Sequence, residues 1–497
     1  MGFLLTAVLA VPAAAAQMSV IVLPEHDLRR LERLSRDGAV GLLVPDAGPE
    51  TSMQRALNAL RRGEVRNSLL GSEPAGEVLI EGIQFLPHWR VDGPKIVLGL
   101  PPPGIRPNDR RYPIAVIAPG YRGILTSEST RIPGLVSIVD VAPTALGREG
   151  KLGSKPDTGP PVLTLQELDR RIDQHGGAKL AFLLMSLVLI AFLAVFWRPA
   201  VLAAFAAALL ANLALGMTSW TYAWGFLVLL ILAVASLAFA LLPLVAHGFL
   251  LAGVLVAYLL AMGIDERWVA LSPLGPTQNA RFYGLSNLLA TLLLVPALAG
   301  AAILGRRFGL WAFGAVAALA LVTVGGSQFG ADGGGVLVLL AGYAVLLAFE
   351  HRPDRRVLLV VGFVVGVLAV ALALGGGSHV TDALADGPAG LAEDLVRRVE
   401  LSWLRATSGW GVGLLVFGGI AVLVALAFRE RRPLLLAYLA AIAVSLLVND
   451  SPNDVILAGL AGYLTLSSAP GVARPAAERA SRAAPEPRAR SAPAASP

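Results

Sequence analysis

Polar side chains suited to chemistry recur in the loops between long apolar stretches of this chain. The candidates for proton transfer are Asp332, His379 and Asp450, because carboxylates and imidazole exchange protons readily. The candidates for substrate binding are Asn279, Arg281, Tyr283, Asn287 and Asn449. A guanidinium beside amides and a proton acceptor suits an anionic substrate, so the set predicts a site for a phosphate-bearing group.

Each of these residues also has an ordinary structural interpretation. Arg281, beside two aromatic residues, is able to snorkel at a membrane interface instead of binding an anion. Asp332 precedes three glycines and is able to start a tight turn, and His379 fits a plain surface loop. Asp450 is suited to capping a helix end. Only a shared side of the membrane favours one joint site over separate caps and anchors.

Apolar runs between these loops predict an α-helical polytopic membrane protein. Hydrophobic residues make up 56% of the chain and its mean hydropathy is +0.69, which exceeds the values of ordinary soluble globules. Since a helix needs about 20 residues to cross a bilayer, the runs predict about eleven spans, the last short enough to be a half-span. The predicted spans are Leu180–Trp197, Pro199–Met217, Trp224–Leu242, Val245–Met262, Leu285–Leu304, Phe308–Gly325, Val336–Phe349, Val357–Leu374, Val412–Phe428, Leu434–Val448 and Val455–Leu466.

The arginines predict the orientation of these spans. They cluster in alternate gaps, at Arg198, Arg306–Arg307, Arg352–Arg356 and Arg429–Arg432. Because positively charged short loops stay in the cytoplasm, those gaps face inward and the loops with the candidate site residues face outward. The same alternation places an N-terminal domain outside the cell membrane and the C-terminal tail inside. Membrane lipids are therefore the predicted immediate partners.

The N-terminal part predicts an exported α/β domain. Residues 1–17 combine an apolar stretch with small residues before Gln17, which predicts a cleaved signal peptide, with retention as an extra span as the alternative. Residues 18–146 alternate strand-like runs with amphipathic helices, the pattern of a small α/β domain. Its predicted strands begin at Ser19, Ala39, Ile96 and Ile114, and its predicted helices cover Glu25–Arg36 and Ser52–Arg62.

The end of this domain resembles a segment of the alkaline-phosphatase superfamily through Asp140-Val-Ala-Pro-Thr144. The resemblance implies one or two metals held by Asp and His, and a Thr, Ser or modified Cys nucleophile at a helix start. The first strand instead ends in Leu23-Pro24-Glu25, where an aspartate ligand is expected. Thr51 or Ser52 either takes the nucleophile's position or caps a helix. The expectation is a shortened, metal-free relative retained for binding or assembly.

The remaining segments are simpler. Residues 147–177 predict a linker and a short juxtamembrane helix, which the capping-box pair Thr164 and Glu167 would open. The predicted bundle covers residues 178–467, and residues 468–497 predict a disordered cytoplasmic tail. In the outer gap before Trp410, an apolar stripe with i,i+4 ion pairs predicts a helix that anchors at the membrane surface or covers the site as a lid.

Composition argues against several kinds of chemistry. The chain has no cysteine, which excludes disulfides, thiolate metal ligands and a cysteine nucleophile. Its six histidines form no ligand-spaced pair, so neither a metal nor a cofactor is predicted. The net charge of +6 comes without a recognisable nucleic-acid-binding motif, so no nucleic-acid partner is predicted.

Two functional classes fit this layout, and the sequence leaves open whether the protein is an enzyme. In the first, an outward site handles an anionic lipid-linked envelope precursor, with Arg281 on the phosphate and Asp332 or His379 as base. This layout resembles multispan glycan polymerases and ligases of the cell envelope, without a shared motif. In the second, the protein is a transporter or a noncatalytic scaffold with a docking domain. Acids at span ends, away from the middle of the membrane, favour the first class.

Overall fold

The computed structural model describes residues 18–23, 30–46, 50–62, 78, 80–83, 93–147, 151–156, 159–218, 222–276, 282–350, 399–400, 402–449, 451–469 and 471. Within these ranges the chain is mostly helical, with a sheet-containing region first and a bundle of apolar helices after it. This confirms the predicted combination of an N-terminal α/β region with apolar, membrane-type helices. Residues 1–17 and the tail from 472 lie outside the described residues.

The α/β region is built on one mixed sheet. The strands of this region are β1 (Ser19–Leu23), β2 (Ala39–Val44), β3 (Glu50–Thr51), β4 (Ile80–Ile83), β5 (Lys95–Gly99), β6 (Arg106–Pro107), β7 (Tyr112–Ile117), β8 (Gly123–Ser127), β9 (Leu135–Ser137) and β10 (Leu152–Lys155). The sheet runs β10-β8-β2-β7-β5-β1-β4, with β9 also paired to β2, while β3 and β6 form a separate ladder. β1 is parallel to β4 and β5, whereas β7 is antiparallel to both of its neighbours. Because β10 pairs with β8, the sheet extends past the predicted domain boundary at residue 146.

Both faces of the sheet are covered by helices. On one face α1 (Arg30–Asp37) packs beside Ile21 and Leu23 of β1. On the other face α2 (Met53–Arg62) and α3 (Val141–Ala145) pack over Val20 and Val22 of β1, which alternate along the strand with Ile21 and Leu23. Successive side chains of a strand point to opposite faces, so a strand buried on both sides reads as a continuous apolar run. This explains the apolar strand runs of the sequence.

A single long helix, α4 (Pro161–Phe196), connects the sheet to the bundle. The predicted short juxtamembrane helix is therefore continuous with the first predicted span. Because α4 begins at Pro161, the predicted helix start at Thr164 is wrong. Proline is favourable at a helix start because the N–H it lacks has no partner there. The first half of α4 packs Leu165, Leu168 and Ile172 against the sheet face that α1 also covers.

The bundle continues with a series of apolar helices. They are α5 (Val201–Met217), α6 (Tyr222–Phe239), α7 (Leu244–Ile264), the short α8 (Arg267–Ala270), α9 (Asn287–Phe308), α10 (Leu310–Gly325), α11 (Gly333–Glu350), α12 (Trp410–Arg429), α13 (Pro433–Val448) and α14 (Pro452–Ser468). Five helical segments of the described chain are long and apolar enough to cross a membrane: Ala178–Phe196, Arg198–Met217, Leu244–Ile264, Asn287–Phe308 and Trp410–Arg429. The other apolar helices are shorter, so the count of about eleven spans stays a prediction. The predicted span Val357–Leu374 lies outside the described residues, as does most of the predicted surface helix before Trp410.

α9 is the central helix of the bundle. Its apolar stretch is wholly buried within the protein, and it packs against α7, α10, α11, α13 and α14. By contrast, only 17% of α12 is buried, and the membrane-length part of α4 is similarly open. Large apolar side chains on these outer helices, such as Phe192 and Leu414, are exposed. Apolar surface of this extent on a helical bundle is the kind that lipid covers.

Candidate functional site

The predicted site residues that the structure describes lie at the end of the bundle next to the sheet. Asn287 begins α9, Asp332 precedes α11, and Asn449 follows α13. Tyr283 lies in the loop before α9. The other predicted site residues, Asn279, Arg281, His379 and Asp450, lie outside the described residues.

Asp332 caps the start of α11 and is almost completely buried. Its Oδ1 accepts a hydrogen bond of 2.9 Å from the Gly335 N–H, and its own N–H donates to the Val324 carbonyl at 3.0 Å. The residue is only 7% exposed, and its Oδ2 has no hydrogen-bond partner in the described part of the chain. One carboxylate oxygen of Asp332 therefore caps the helix, as its ordinary structural interpretation expects. The other is a buried polar atom without a partner, which is costly and typical of functional sites.

Asn449 lies against the same helix start. It is buried, its Nδ2 donates to Ser445 Oγ at 2.8 Å, and its carbonyl accepts from Ser402 Oγ at 2.8 Å. A Cβ on Gly334 would lie 3.3 Å from Asn449 Oδ1 and 3.4 Å from Asp332 Oδ1. The structure thus brings two predicted residues together, and the lack of a side chain at Gly334 permits their approach.

A small cavity adjoins this helix start. Its polar lining consists of Thr291, Ser445 and Asn449, and its other lining residues are Ala290, Leu294, Val324, Gly335, Val338 and Leu339. Thr291 also donates to the Asn287 carbonyl at 2.7 Å, which links the cavity to the start of α9. The enclosed part of this cavity is small, with room for about one water molecule. A space of this size takes a water molecule or a small ion.

Tyr283 contacts the α/β region. The Arg131 guanidinium carbon lies 4.0 Å from the centre of the Tyr283 ring, within cation–π range. The same guanidinium donates to the Ser327 carbonyl at 2.7 Å and lies 3.8 Å from the Glu266 carboxylate. Burial raises the pKa of Glu266, and the nearby Arg131 acts in the opposite direction. The residue predicted to bind substrate therefore has one ring face in contact with an arginine that the sequence did not single out.

Asp140 stabilises a turn of the α/β region. Its carboxylate accepts from Ser127 Oγ at 2.5 Å, from the Ser129 N–H at 3.0 Å and from Ser129 Oγ at 2.7 Å. Burial raises the pKa of Asp140, and these three donors oppose that shift. Thr144, the other end of the superfamily-like segment, donates to the Asp140 carbonyl at 2.7 Å. Both residues are thus engaged in local structure.

The predicted nucleophile position holds a helix cap. Ser52 Oγ accepts from the Arg55 N–H at 3.2 Å, which is the N-cap geometry of α2. Thr51 is buried, and its Oγ1 has no hydrogen-bond partner in the described part of the chain. Among the described residues, no group of three His, Asp or Glu side chains is placed to hold a metal ion.

Comparisons with protein-family models, with curated proteins and with solved structures find no match to this chain. The resemblance to the alkaline-phosphatase superfamily therefore stays a prediction that rests on Asp140-Val-Ala-Pro-Thr144 alone.

Sequence reasoning missed Thr291 and Ser445, which line the cavity, and Arg131, which reaches the bundle. Thr291 and Ser445 lie inside apolar runs, where a hydroxyl often bonds a carbonyl of its own helix and so carries little signal. A count of the few polar residues inside the predicted spans would have found both. Arg131 lies in a loop without periodicity, so no local pattern marks it.

Gly335 tests how tightly the helix start is packed. Gly335→Ala should lower the free energy of unfolding by about 1–3 kcal/mol, because overpacking a tight site costs that much. A Cβ there would lie 2.6 Å from Val324 Cγ1 and 2.7 Å from Asp332 Oδ2. Thermal unfolding in detergent micelles measures the change. Gly314→Ala in α10 is the control, because a Cβ there meets nothing within 4 Å; an equal loss in both variants would contradict the packing.

A second polar cluster lies at the opposite end of the bundle, between α12 and α13. Glu430 is buried and accepts from Arg432 Nε at 2.8 Å, from Tyr463 Oη at 2.9 Å and from the Arg431 N–H at 2.9 Å. Burial raises the pKa of Glu430, but these donors outweigh it and bring the pKa down to about 2. Arg432 also reaches the Ser467 carbonyl at 3.5 Å, which joins the end of α14 to the same cluster.

This cluster should make the bundle sensitive to acid. A carboxylate with a lowered pKa in the folded state stabilises the protein above its unfolded pKa, and that contribution is lost as the pH falls. For Glu430 the loss should occur between its ordinary pKa of 4.5 and about 2. Melting temperatures measured across this range should fall in the unaltered protein and change less in Glu430→Gln. If the melting temperatures of the two proteins fell in parallel with pH, Glu430 would not be the source of the acid sensitivity.

Proposed function

We propose that this protein is a polytopic membrane protein of about eleven spans that handles an anionic, lipid-linked cell-envelope precursor at its outer face, as a transferase or ligase. The observation that carries the proposal is Asp332. It is buried, one of its carboxylate oxygens has no partner in the described residues, and it lies against the helix start that Asn449 also touches. A carboxylate placed this way is equipped to accept a proton.

The grouping of helix ends supports the proposed orientation. Next to the sheet, Arg171 of α4 donates to the Gly216 carbonyl at 2.7 Å, and Lys179 pairs with Asp454 at 3.4 Å. Ends of α5 and α14 that the sequence predicts to face outward are thus joined to α4, whose first half packs on the sheet. The cluster around Glu430 and Arg432 joins ends that the sequence predicts to face inward. This arrangement agrees with arginines in the cytoplasm and the α/β region outside.

The proposed reaction transfers the lipid-linked glycan to a hydroxyl of an acceptor. Asp332 takes the proton of that hydroxyl as its oxygen forms a bond to the sugar carbon. The bond from that carbon to the phosphate oxygen breaks, and the lipid phosphate leaves with the electron pair. Arg281 pairs with the phosphate, Asn449 binds polar groups of the substrate, and the α/β region recruits the acceptor.

A second candidate is a transporter coupled to protons or a small cation. The cavity favours it, because Thr291, Ser445 and Asn449 in its lining offer oxygen atoms to a small ion. In that case Asp332 would bind and release a proton or ion beside the cavity instead of acting as a base.

Photo-crosslinking separates the two candidates. Protein in lipid nanodiscs is exposed to a photoreactive polyprenyl phosphate or to the matching uncharged polyprenol. The transferase proposal expects strong capture of the phosphate and weak capture of the alcohol, because the head group supplies the affinity. Equal capture of both, together with proton or sodium flux in liposomes, would overturn it in favour of transport.

A further inference from the structure

We infer that Arg131 is a positioning residue through which the α/β region holds the loop that carries Asp332. The role of that loop in catalysis rests on the proposed function, whereas the mechanical connection rests on contacts alone. Arg131 is separated from Ser327, its partner in the bundle, by 196 positions in the sequence.

The connection starts at Asp140, the buried acid of the superfamily-like segment. Its three hydrogen bonds from Ser127 and Ser129 fix the turn that follows β8. Within this turn the Arg131 N–H donates to the Ser127 carbonyl at 2.9 Å. Arg131 has a φ of 55°, a left-handed conformation that is rare for residues other than glycine and persists only where surrounding contacts hold it. Asp140 therefore sets the position from which Arg131 reaches the bundle.

Arg131 contacts two neighbouring loops of the bundle. Its guanidinium donates to the Ser327 carbonyl, in the loop between α10 and α11, and lies over the ring of Tyr283, before α9. Glu266, at the start of α8, supplies the countercharge at 3.8 Å. A planar guanidinium is suited to this combination of hydrogen bonding and ring stacking, which a lysine would not reproduce.

These two loops are also bonded to one another just before Asp332. The Leu285 N–H donates to the Gly330 carbonyl at 3.1 Å and so joins the two loops. Within the second loop, the Ala331 N–H donates to the Gly326 carbonyl at 2.9 Å. Ala331 has a φ of 50°, the second left-handed residue other than glycine among those described. Asp332 follows it directly. A left-handed residue therefore lies at each end of the connection, in the loop of Arg131 and in the loop of Asp332.

The consequence is that the α/β region holds the carboxylate of Asp332 in place. If Arg131 releases Ser327 and Tyr283, the loop of residues 326–332 loses the hydrogen bond that joins it to the α/β region. A shift of the α/β region upon binding an acceptor would reach Asp332 through the same contacts. The superfamily-like segment thus serves here to position a residue of the bundle.

Hydrogen exchange of the full-length protein in nanodiscs tests this connection. Arg131→Ala should speed exchange of the amides of residues 326–332 by about tenfold or more, because hydrogen bonds to charged groups are among the stronger ones. Arg131→Lys should give an intermediate effect. Arg122→Ala, which removes an exposed arginine before β8, is the matched control and should leave that loop unchanged.

A second readout separates positioning from general destabilisation. In the naturally cysteine-free chain, a thiol introduced by Asp332→Cys should react faster with a maleimide when Arg131→Ala is added, while exchange in β5 and β7 stays unchanged. Asp140→Asn should loosen residues 326–332 as well, and adding Arg131→Ala to it should loosen them no further. Unchanged exchange and thiol reactivity in folded Arg131→Ala would overturn the inference. Failure to capture a polyprenyl phosphate would instead count against the proposed function alone.

Discussion

Asp332→Asn should lower the rate of glycan transfer by about 100-fold or more, because a general base contributes roughly 10²–10⁴-fold to a reaction rate. Asparagine has the same shape, and its Oδ1 is able to keep the 2.9 Å hydrogen bond from the Gly335 N–H. The helix start should therefore persist while the proton acceptor is lost. Turnover of a lipid-linked glycan by the purified protein measures the rate, and capture of the lipid should remain close to that of the unaltered protein.

Glu400→Gln is the matched control for this substitution. Glu400 is an exposed acid in the segment before Trp410, and its loss should leave both rate and capture unchanged. A rate unaffected by Asp332→Asn would remove Asp332 from the reaction. If capture of the lipid fell in proportion to the rate, Asp332 would be a binding group instead of a base.

Arg111→Gln should destabilise the contact between the sheet and α4 by about 3–5 kcal/mol, because breaking a buried ion pair leaves an uncompensated charge. The Arg111 side chain is 2% exposed and reaches Asp169 and Asp173 of α4, at 2.6 Å in each case. It also donates to the Asp169 carbonyl at 2.9 Å, so this hydrogen bond is at stake together with the ion pairs. Denaturant unfolding followed by the fluorescence of the protein measures the loss.

The two partners of Arg111 supply an internal comparison. Asp169 is mostly buried, with 19% of its side chain exposed, whereas 62% of the Asp173 side chain is exposed. Asp169→Asn should therefore cost much more than Asp173→Asn, for which the cost should stay within about 1 kcal/mol. Equal costs for the two substitutions would show that burial does not decide the strength of this contact.

Local patterns in the sequence predicted the elements better than their connections. β1 and β2 match the predicted strands, because their apolar side chains fill the cores on both faces of the sheet. The start of α4 at Pro161 was missed, because the Gly- and Pro-rich stretch before it was interpreted as a linker. β10 lies in the same stretch and was also missed. Its pairing with β8 is a long-range property that no local pattern contains.

The candidate site was predictable in part. Asp332 and Asn449 stood out because polar residues at the ends of apolar runs are costly unless they have a use. That both touch the start of α11 depends on the packing of α11 against α13, which the sequence does not encode locally. The contact of Arg131 with Ser327 is likewise a product of the folded arrangement. Thr291 and Ser445 were hidden within apolar runs.

Cysteine accessibility tests the central claim most directly, namely that the end of the bundle with the sheet and Asp332 faces outward. The chain has no native cysteine, so single thiols introduced by Thr218→Cys and Ser408→Cys report on that end, and those from Arg307→Cys and Arg429→Cys report on the opposite end. All four positions are exposed. In intact spheroplasts, a membrane-impermeant maleimide should label the first pair at once and the second pair only after lysis. Labelling of Arg307→Cys or Arg429→Cys in intact spheroplasts, with Thr218→Cys and Ser408→Cys protected, would contradict the orientation and the proposed outward site with it.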